Sequence, residues 1–444
     1  MTHCPEGDHG DSKYNLESLF NRADAVPRER KTAETAFVGK DELSEVYPDI
    51  LTGKAFIDHA LTRTDASSNF GVMVFRIDRP EGKNDEIESH PNKGFRMDVA
   101  GAIDAICKET NGVWGRLDSG IFGSFFPEGS TDAGLELAQK IRERLEKRGN
   151  KTVSIGIASY PTISFSKAQI VDNACKALDH AAFFGADSTV AFDSISLNIS
   201  GDKLYQNGDI DGAVREYTMA LMLDPSNLNV RNSLGVCYGI QGSFEKAKNE
   251  FETAMQNDSS EVMPVYNTGI VNMLMGNKEE ALQLFHEADS LDDDVFEVAF
   301  QIGRLYLEME NPEKGKKFLK RATLLRPESG IAFRYLGECF ASMDMIDEAV
   351  SAYKNAIRSN PNDADSLSAL GYLFEAQGEN PEIAKTFCKQ SVEISPENGL
   401  FRHRLGRLYL KADRLDDAMK EFKMASHFGH DSREYVEKIE NMKD

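Results

Sequence analysis

The sequence predicts two architectures in one chain: an α/β sandwich with a single mixed sheet over residues 46–193, then an all-α superhelical solenoid from residue 194. Three observations carry this reading. Short apolar runs alternate with amphipathic stretches up to residue 193, a column of small residues recurs every 34 residues from Gly201 onward, and proline closes several of the repeated units. The length of 444 residues accommodates two or more domains, and 41% hydrophobic with 28% charged residues is an ordinary globular mixture.

Residues 1–45 are polar with little periodicity and read as a mobile arm carrying one short helix near Leu16–Arg22. A helix follows near Gly53–Arg63. FGVMVFRI (70–77) is an apolar strand, and GFRMDVAGAIDAICKE (94–109) has helical periodicity. VWGRL (113–117) and IFGSFF (121–126) flank Asp118-Ser119-Gly120, a hairpin turn by composition. The helix DAGLELAQKIRERLEK, the strand KTVSIGIASY, the helix KAQIVDNACKALDHAAFF and a last strand STVAF complete an α-β-α-ββ-α-β-α-β order, which implies a mixed sheet covered by helices.

From residue 194 the chain aligns with itself. Gly201, Gly235, Gly269, Gly303, Gly337 and Gly371 lie one period apart, and Gly406 follows after a single insertion near Asn380-Pro381. Further columns run Ala213, Ala247, Ala281, Gly315, Ala349, Ala384, Ala418, and Tyr217, Phe251, Phe285, Leu319, Tyr353, Cys388, Phe422. Two antiparallel helices pack closely only where small residues meet, and Pro225, Pro327, Pro361 and Pro396 stop the second helix. Seven units over 194–431 resemble tetratricopeptide repeats, with 432–444 as a capping helix.

This resemblance implies a concave groove lined by the first helix of each pair, and a protein or peptide partner held in it. Carried onto this sequence, the groove positions include Tyr266, Phe300, Arg304, Arg334, Glu338, Tyr372 and Arg407, with Asn229, Asn232, Met263, Met273, Glu297, His403 and Leu410 beside them. Aromatic residues beside arginine suit a binding surface. Ordinary packing stays open as the alternative for some of them. The Lys/Asn clamp of certain family members is missing, since Ile195, Asn198 and Asp202 occupy the first groove positions.

The first domain resembles GGDEF diguanylate cyclase domains. Asp49-Ile50-Leu51-Thr52-Gly53 is similar to their opening D-x-L-T-G, Arg76-Ile77-Asp78 with Lys83-Asn84-Asp85 to their D-I-D…K-x-I-N-D stretch, and Val153-Ser154-Ile155-Gly156-Ile157-Ala158 to their V-S-I-G-I-A strand. Ala177-Leu178, Ala181 and Gly185 follow the family's ending. Cyclase chemistry needs carboxylates for Mg²⁺ and cations for phosphate. The resemblance puts Arg76, Gly120 and Ile121 at the carboxylate positions, Asp118 at a phosphate-approach glycine, Ala182 and Ala186 at the phosphate-binding cations, and Phe95 at the guanine-pairing acid, with Asn84 kept. The inhibitory product site would fall on Glu109 and Gly112 and is lost. The implied protein is a non-catalytic bacterial signalling scaffold, with no cofactor and no metal. Weak binding of GTP or cyclic di-GMP, making the domain a nucleotide sensor that regulates the array, stays open as the second reading.

Charge bounds the partners further. The chain carries 51 basic and 73 acidic residues for a net −22, divided as 23 against 31 up to Asp193 and 28 against 42 beyond it. A surface this acidic repels phosphate backbones, so nucleic acid is not expected as a ligand. No apolar run is long enough to span a bilayer, no signal peptide opens the chain, and six scattered cysteines without a C-x-x-C pair read as free thiols, so a cytoplasmic protein is expected. The histidines, His90 among them, form no ligand spacing, and Asp292-Asp293-Asp294 reads as a solvated turn.

Overall fold

The computed structural model describes residues 42–78, 93–147, 152–378 and 381–443. The helix expected at Leu16–Arg22, the Lys83-Asn84-Asp85 stretch and His90 lie outside them, as does Asn380 at the insertion. The chain divides into two compact units, 1–259 and 260–444, so the division falls inside the helical array and not at residue 193.

In the first unit, α1 (Glu42–Val46) and α2 (Gly53–Thr64) precede β1 (Phe70–Ile77), followed by α3 (Lys93–Glu109), β2 (Val113–Asp118), β3 (Ile121–Pro127), α4 (Thr131–Glu146), β4 (Val153–Tyr160), α5 (Ile170–Ala181) and β5 (Thr189–Ala191). The sheet order is β2-β3-β1-β4-β5; β1 pairs antiparallel with β3 and β4, and β4 pairs parallel with β5. This is the mixed five-stranded sheet the alternation predicts. Residues 42–45, expected within the arm, instead begin α1, because Leu43 is buried in the same core as Met73 and Phe122.

Alternation along β1 sends its side chains to two cores. Met73, Phe75 and Ile77 pack with α3 and α4 residues such as Val99, Ile103 and Ile141. Phe70, Val72 and Val74 pack with Phe56 of α2 and Ala174 and Leu178 of α5, and this second core runs on without a break into the first two helix pairs, through Leu197, Tyr217 and Leu234. Those pairs are α6 (Ser194–Gln206) with α7 (Ile210–Leu223), and α8 (Leu228–Ile240) with α9 (Phe244–Asn257).

The second unit continues with α10 (Val262–Leu274) and α11 (Lys278–Leu291), α12 (Phe296–Glu308) and α13 (Pro312–Leu325), α14 (Gly330–Ser342) and α15 (Ile346–Ser359), α16 (Ala364–Gln377) and α17 (Pro381–Ile394), and α18 (Gly399–Lys411) and α19 (Leu415–His427), before α20 (Arg433–Lys443). The seven pairs thus follow the 34-residue columns. The glycine column has a sharper cause than general closeness: a Cβ at any of its seven members would lie 2.5–2.9 Å from the bulky-column side chain of the same pair. At Gly269, for example, it would meet the Phe285 ring. The bulky residue therefore seats on the glycine opposite it, within the pair.

Turn chemistry repeats with the same period. The residue between paired helices is left-handed at Gly208, Gly242, Gly276 and Gly378, with φ of +80°, +72°, +85° and +68°. Glu310, Asp344 and Asp413 hold the equivalent conformation with φ of 56–58° despite a side chain. Asp193, Asp209, Asn227, Asn311, Ser329 and Asn398 each cap a helix by accepting from the N–H three residues on.

Candidate partner-binding site

Each first helix presents its second, fifth, ninth and twelfth residues to one face, and the structure sorts the expected groove residues on that face into two groups. Tyr266 is 1% exposed, Phe300 8% and Arg304 5%. Tyr266 shares a side-chain hydrogen bond with Gln301 and packs on the Phe285 ring at 5.7 Å; burial pushes its phenol up. Phe300 stacks on Phe296 at 5.8 Å and meets Tyr335 edge-on at 5.5 Å. Arg304 donates from Nη2 to Met273 Sδ at 3.0 Å, with Nε 3.2 Å from Glu308 Oε1. All three were expected to line the groove, and the structure buries them. The helical pattern that marks a groove position equally marks a position between neighbouring first helices.

Arg334, Glu338, Tyr372 and Arg407 instead lie on α14, α16 and α18 and stay partly accessible. Arg334 donates from Nη1 to Asp363 Oδ1 at 3.2 Å and Asp365 Oδ2 at 2.8 Å. Burial opposes its charge, but Asp363, Asp365, Tyr335 and Glu338 outweigh it and hold the guanidinium above its usual range. Glu338, one turn along α14, is half-buried. Burial pushes its carboxyl up to about 7, against Arg334 and Arg404 and with Asp365 and Asp363.

Tyr372, 37% exposed, lies under two guanidiniums: Arg404 at 5.0 Å and Arg407 at 5.6 Å from the ring centre. Arg404 donates from Nη1 to Ser368 Oγ at 2.9 Å, and burial holds it below the usual guanidinium range. Arg407 and Lys411 both reach Glu375 Oε1, at 3.0 and 2.8 Å, on a side chain only 2% exposed. Sequence reasoning missed Asp363, Asp365, Glu375 and Arg404. Arg404 is the sixth residue of its helix and Asp363 precedes its helix, so periodicity alone could not select those two, whereas Asp365 and Glu375 hold the second and twelfth positions of α16 and were open to the same rule.

His403, another expected groove residue, instead joins the end of the array. Its Nδ1 lies 2.8 Å from Ser432 Oγ, and its ring meets those of His430, Tyr435 and Phe422 at 4.5, 5.0 and 5.4 Å. Burial pushes His403 down to about 4, helped by the charges of His430, Arg407 and Arg404.

In the α/β domain, Ser119 and Gly120 form the expected hairpin turn, with Gly120 at φ +80° and Asp118 Oδ1 accepting from Ser119 N at 2.6 Å. Arg76 pairs across the sheet with Ile121 and Ser154, and its Nη1 lies 4.0 Å from Asp179 Oδ1; Lys203 of α6 reaches Asp179 Oδ2 at 2.6 Å. Asp78 is taken up structurally, accepting from Thr152 Oγ1, Ser154 Oγ and Asp187 N at 2.8, 2.6 and 2.7 Å. Phe95 is core, and Ala182 and Ala186 are exposed. Asp292, Asp293 and Asp294 are exposed in the turn before α12, where Asp292 Oδ1 accepts from Asp294 N at 2.9 Å. Among the described residues, Cys107, Cys175, Cys237, Cys339 and Cys388 are free thiols, and no helix is long and apolar enough to cross a membrane.

Family models described as TPR repeat or tetratricopeptide repeat match residues 201–242, 296–329, 337–378 and 379–439. No curated protein matches the chain. Solved structures similar to it include YrrB, described as a TPR protein with an unusual peptide-binding site, at 22% identity over 42% of this chain and 96% of that one, with a TM-score of 0.38. PilF of Pseudomonas aeruginosa is 20% identical over 47% and 95% with a TM-score of 0.44, and a thermophilic TPR protein of Thermus thermophilus is 20% identical over 41% and 99% with a TM-score of 0.34. With the seven helix pairs, the matched residues identify the C-terminal region as a tetratricopeptide-repeat solenoid.

Proposed function

We propose that this chain is a non-catalytic scaffold of a bacterial signalling system, cytoplasmic, that binds a protein or peptide partner along the first helices of its repeats. Its first domain is a GGDEF-like domain without cyclase activity. The observation that carries the reading is the accessible face of α14, α16 and α18, where the half-exposed Tyr372 ring lies beneath Arg404 and Arg407 beside Arg334 and Glu338. Aromatic rings and guanidiniums concentrate binding energy when a partner desolvates them. The peptide-binding site named for YrrB accords with this use of the fold. For the first domain, the support is Arg76 paired towards Asp179 and the exposed alanines at 182 and 186, which leave divalent metal and phosphate without the groups they need.

Tyr372→Ala tests the partner site, because it removes the accessible ring over which Arg404 and Arg407 lie. Tagged wild-type and variant chains expressed in the native host should both stay folded by their melting curves, while the variant loses the wild-type partner. Equal recovery of that partner by both would overturn the site. Titration with fluorescent GTP and cyclic di-GMP, and a turnover assay with Mg²⁺ and Mn²⁺, test the first domain; formation of cyclic di-GMP above a no-protein control would end the non-catalytic reading.

A further inference from the structure

Two charges on the accessible face lack an opposite partner. Among the described residues, Glu338 forms no ion pair, and neither does Arg404, which is held by the Ser368 hydroxyl and the Tyr372 ring instead. Arg334 is already shared between Asp363 and Asp365. Three carboxylates, Glu338, Asp363 and Asp365, therefore meet two guanidiniums, Arg334 and Arg404. Towards the last repeat the balance reverses: Arg407 and Lys411 share Glu375 alone.

Resting on the partner-site reading above, we propose that the face formed by α14 and α16 receives a cationic side chain, lysine or arginine, of an extended partner segment, seated at the Glu338 carboxylate. Local balance favours a cation there, because it gives Glu338 the counter-ion that Arg334, engaged twice, does not supply. The wider field favours it too. Beyond Asp193 the chain has 28 basic against 42 acidic residues, so a basic segment is drawn in and an acidic one repelled. An anion at Arg404 would have to overcome that field to reach a guanidinium that already has two partners.

The groups facing Glu338 are Arg334 on its own helix, Asp363 and Asp365 at the start of α16, Arg404 on α18, Tyr353 on α15 and the neighbouring Cys339. Within this set Glu338 is the carboxyl held near neutrality. A lysine ligand keeps its charge throughout, so capture of the cation should strengthen as Glu338 ionises.

The test uses the full chain with fluorescently labelled decapeptides of lysine and of glutamate, read by polarisation at pH 6 and pH 8. Oligo-lysine should bind up to about tenfold more tightly at pH 8, the limit set by ionising one carboxyl with a midpoint near 7. Glu338→Gln, similar in shape and checked for folding by its melting curve, should remove that pH dependence and cost at least about fivefold in affinity at pH 8. Unchanged oligo-lysine binding by the variant, or tighter binding of oligo-glutamate, overturns the proposal. Hydrogen exchange separates this failure from that of the underlying reading. Peptide protection of residues 330–342 and 364–377 that persists in Glu338→Gln rejects only the charge assignment; protection absent from both helices rejects the groove.

Discussion

Acid should loosen the capping helix through His403. In the folded chain this half-buried imidazole is wedged among Phe422, His430 and Tyr435 with Nδ1 on the Ser432 hydroxyl, and it is held down to about 4 against 6.5 for a free histidine. The sign follows from where protons bind. Below 6.5 the unfolded chain takes up a proton that the folded chain refuses until about pH 4, so stability falls as pH drops across that window. The full gap is worth about 3 kcal/mol, of which about 2 kcal/mol is lost by pH 5. His403→Asn keeps a hydrogen-bonding group near Ser432 but cannot titrate. Melting both chains at pH 7.5 and pH 5 should show the wild type losing several degrees more than the variant, on the order of 4–8 °C for a domain of this size. Amides of residues 433–443 should lose exchange protection first. Equal losses in both chains would refute the argument, and would leave carboxylate protonation elsewhere as the cause.

Glu310→Gly should stabilise the second unit by about 1 kcal/mol, because Glu310 holds φ of 56° where the equivalent Gly276 has φ of 85°; chemical denaturation measures it. Phe300→Ala should cost about 3 kcal/mol of stability through the cavity it leaves against Phe296 and Tyr335, a drop in melting temperature without a selective loss of partner. Truncation should show where the first unit ends: a fragment of residues 42–259 should melt cooperatively, whereas residues 42–193 alone should bind a hydrophobic dye and lack a sharp transition, having lost Leu197, Tyr217 and Leu234 from a shared core.

The repeat was legible because steric exclusion leaves no choice of residue. A side chain at Gly201 or Gly235 would strike the ring of Tyr217 or Phe251, so glycine recurs whatever the array does. The sheet was legible for a similar reason, since β1 is buried on both faces and is apolar at every position but Arg76 near its end. Accessibility along the groove was not. Phe300 and Tyr372 occupy the fifth and ninth positions of their helices, yet one is 8% and the other 37% exposed, because exposure depends on what each neighbouring helix brings. The charge pairs were hidden likewise: Arg407 meets Glu375 and Arg334 meets Asp363 only after α14, α16 and α18 stand side by side.

Nor could the period reveal that the first two repeats differ from the rest. Their columns match those of later repeats, yet Leu197, Tyr217 and Leu234 complete a core begun by Phe70, Val72 and Val74 of the sheet. The sheet is thus held by what it packs against, and this requirement is independent of any reaction. Arg76 shows the same logic at one residue. It lies at the end of β1, where the GGDEF-like reading would place a metal carboxylate, and it faces Asp179 of α5, which also holds Lys203 of α6. A carboxylate at 76 would repel Asp179; a guanidinium draws strand, helix and first repeat towards one shared acid. Arg76 thereby adds a joint between the sheet and the array, a use of the domain that requires no reaction.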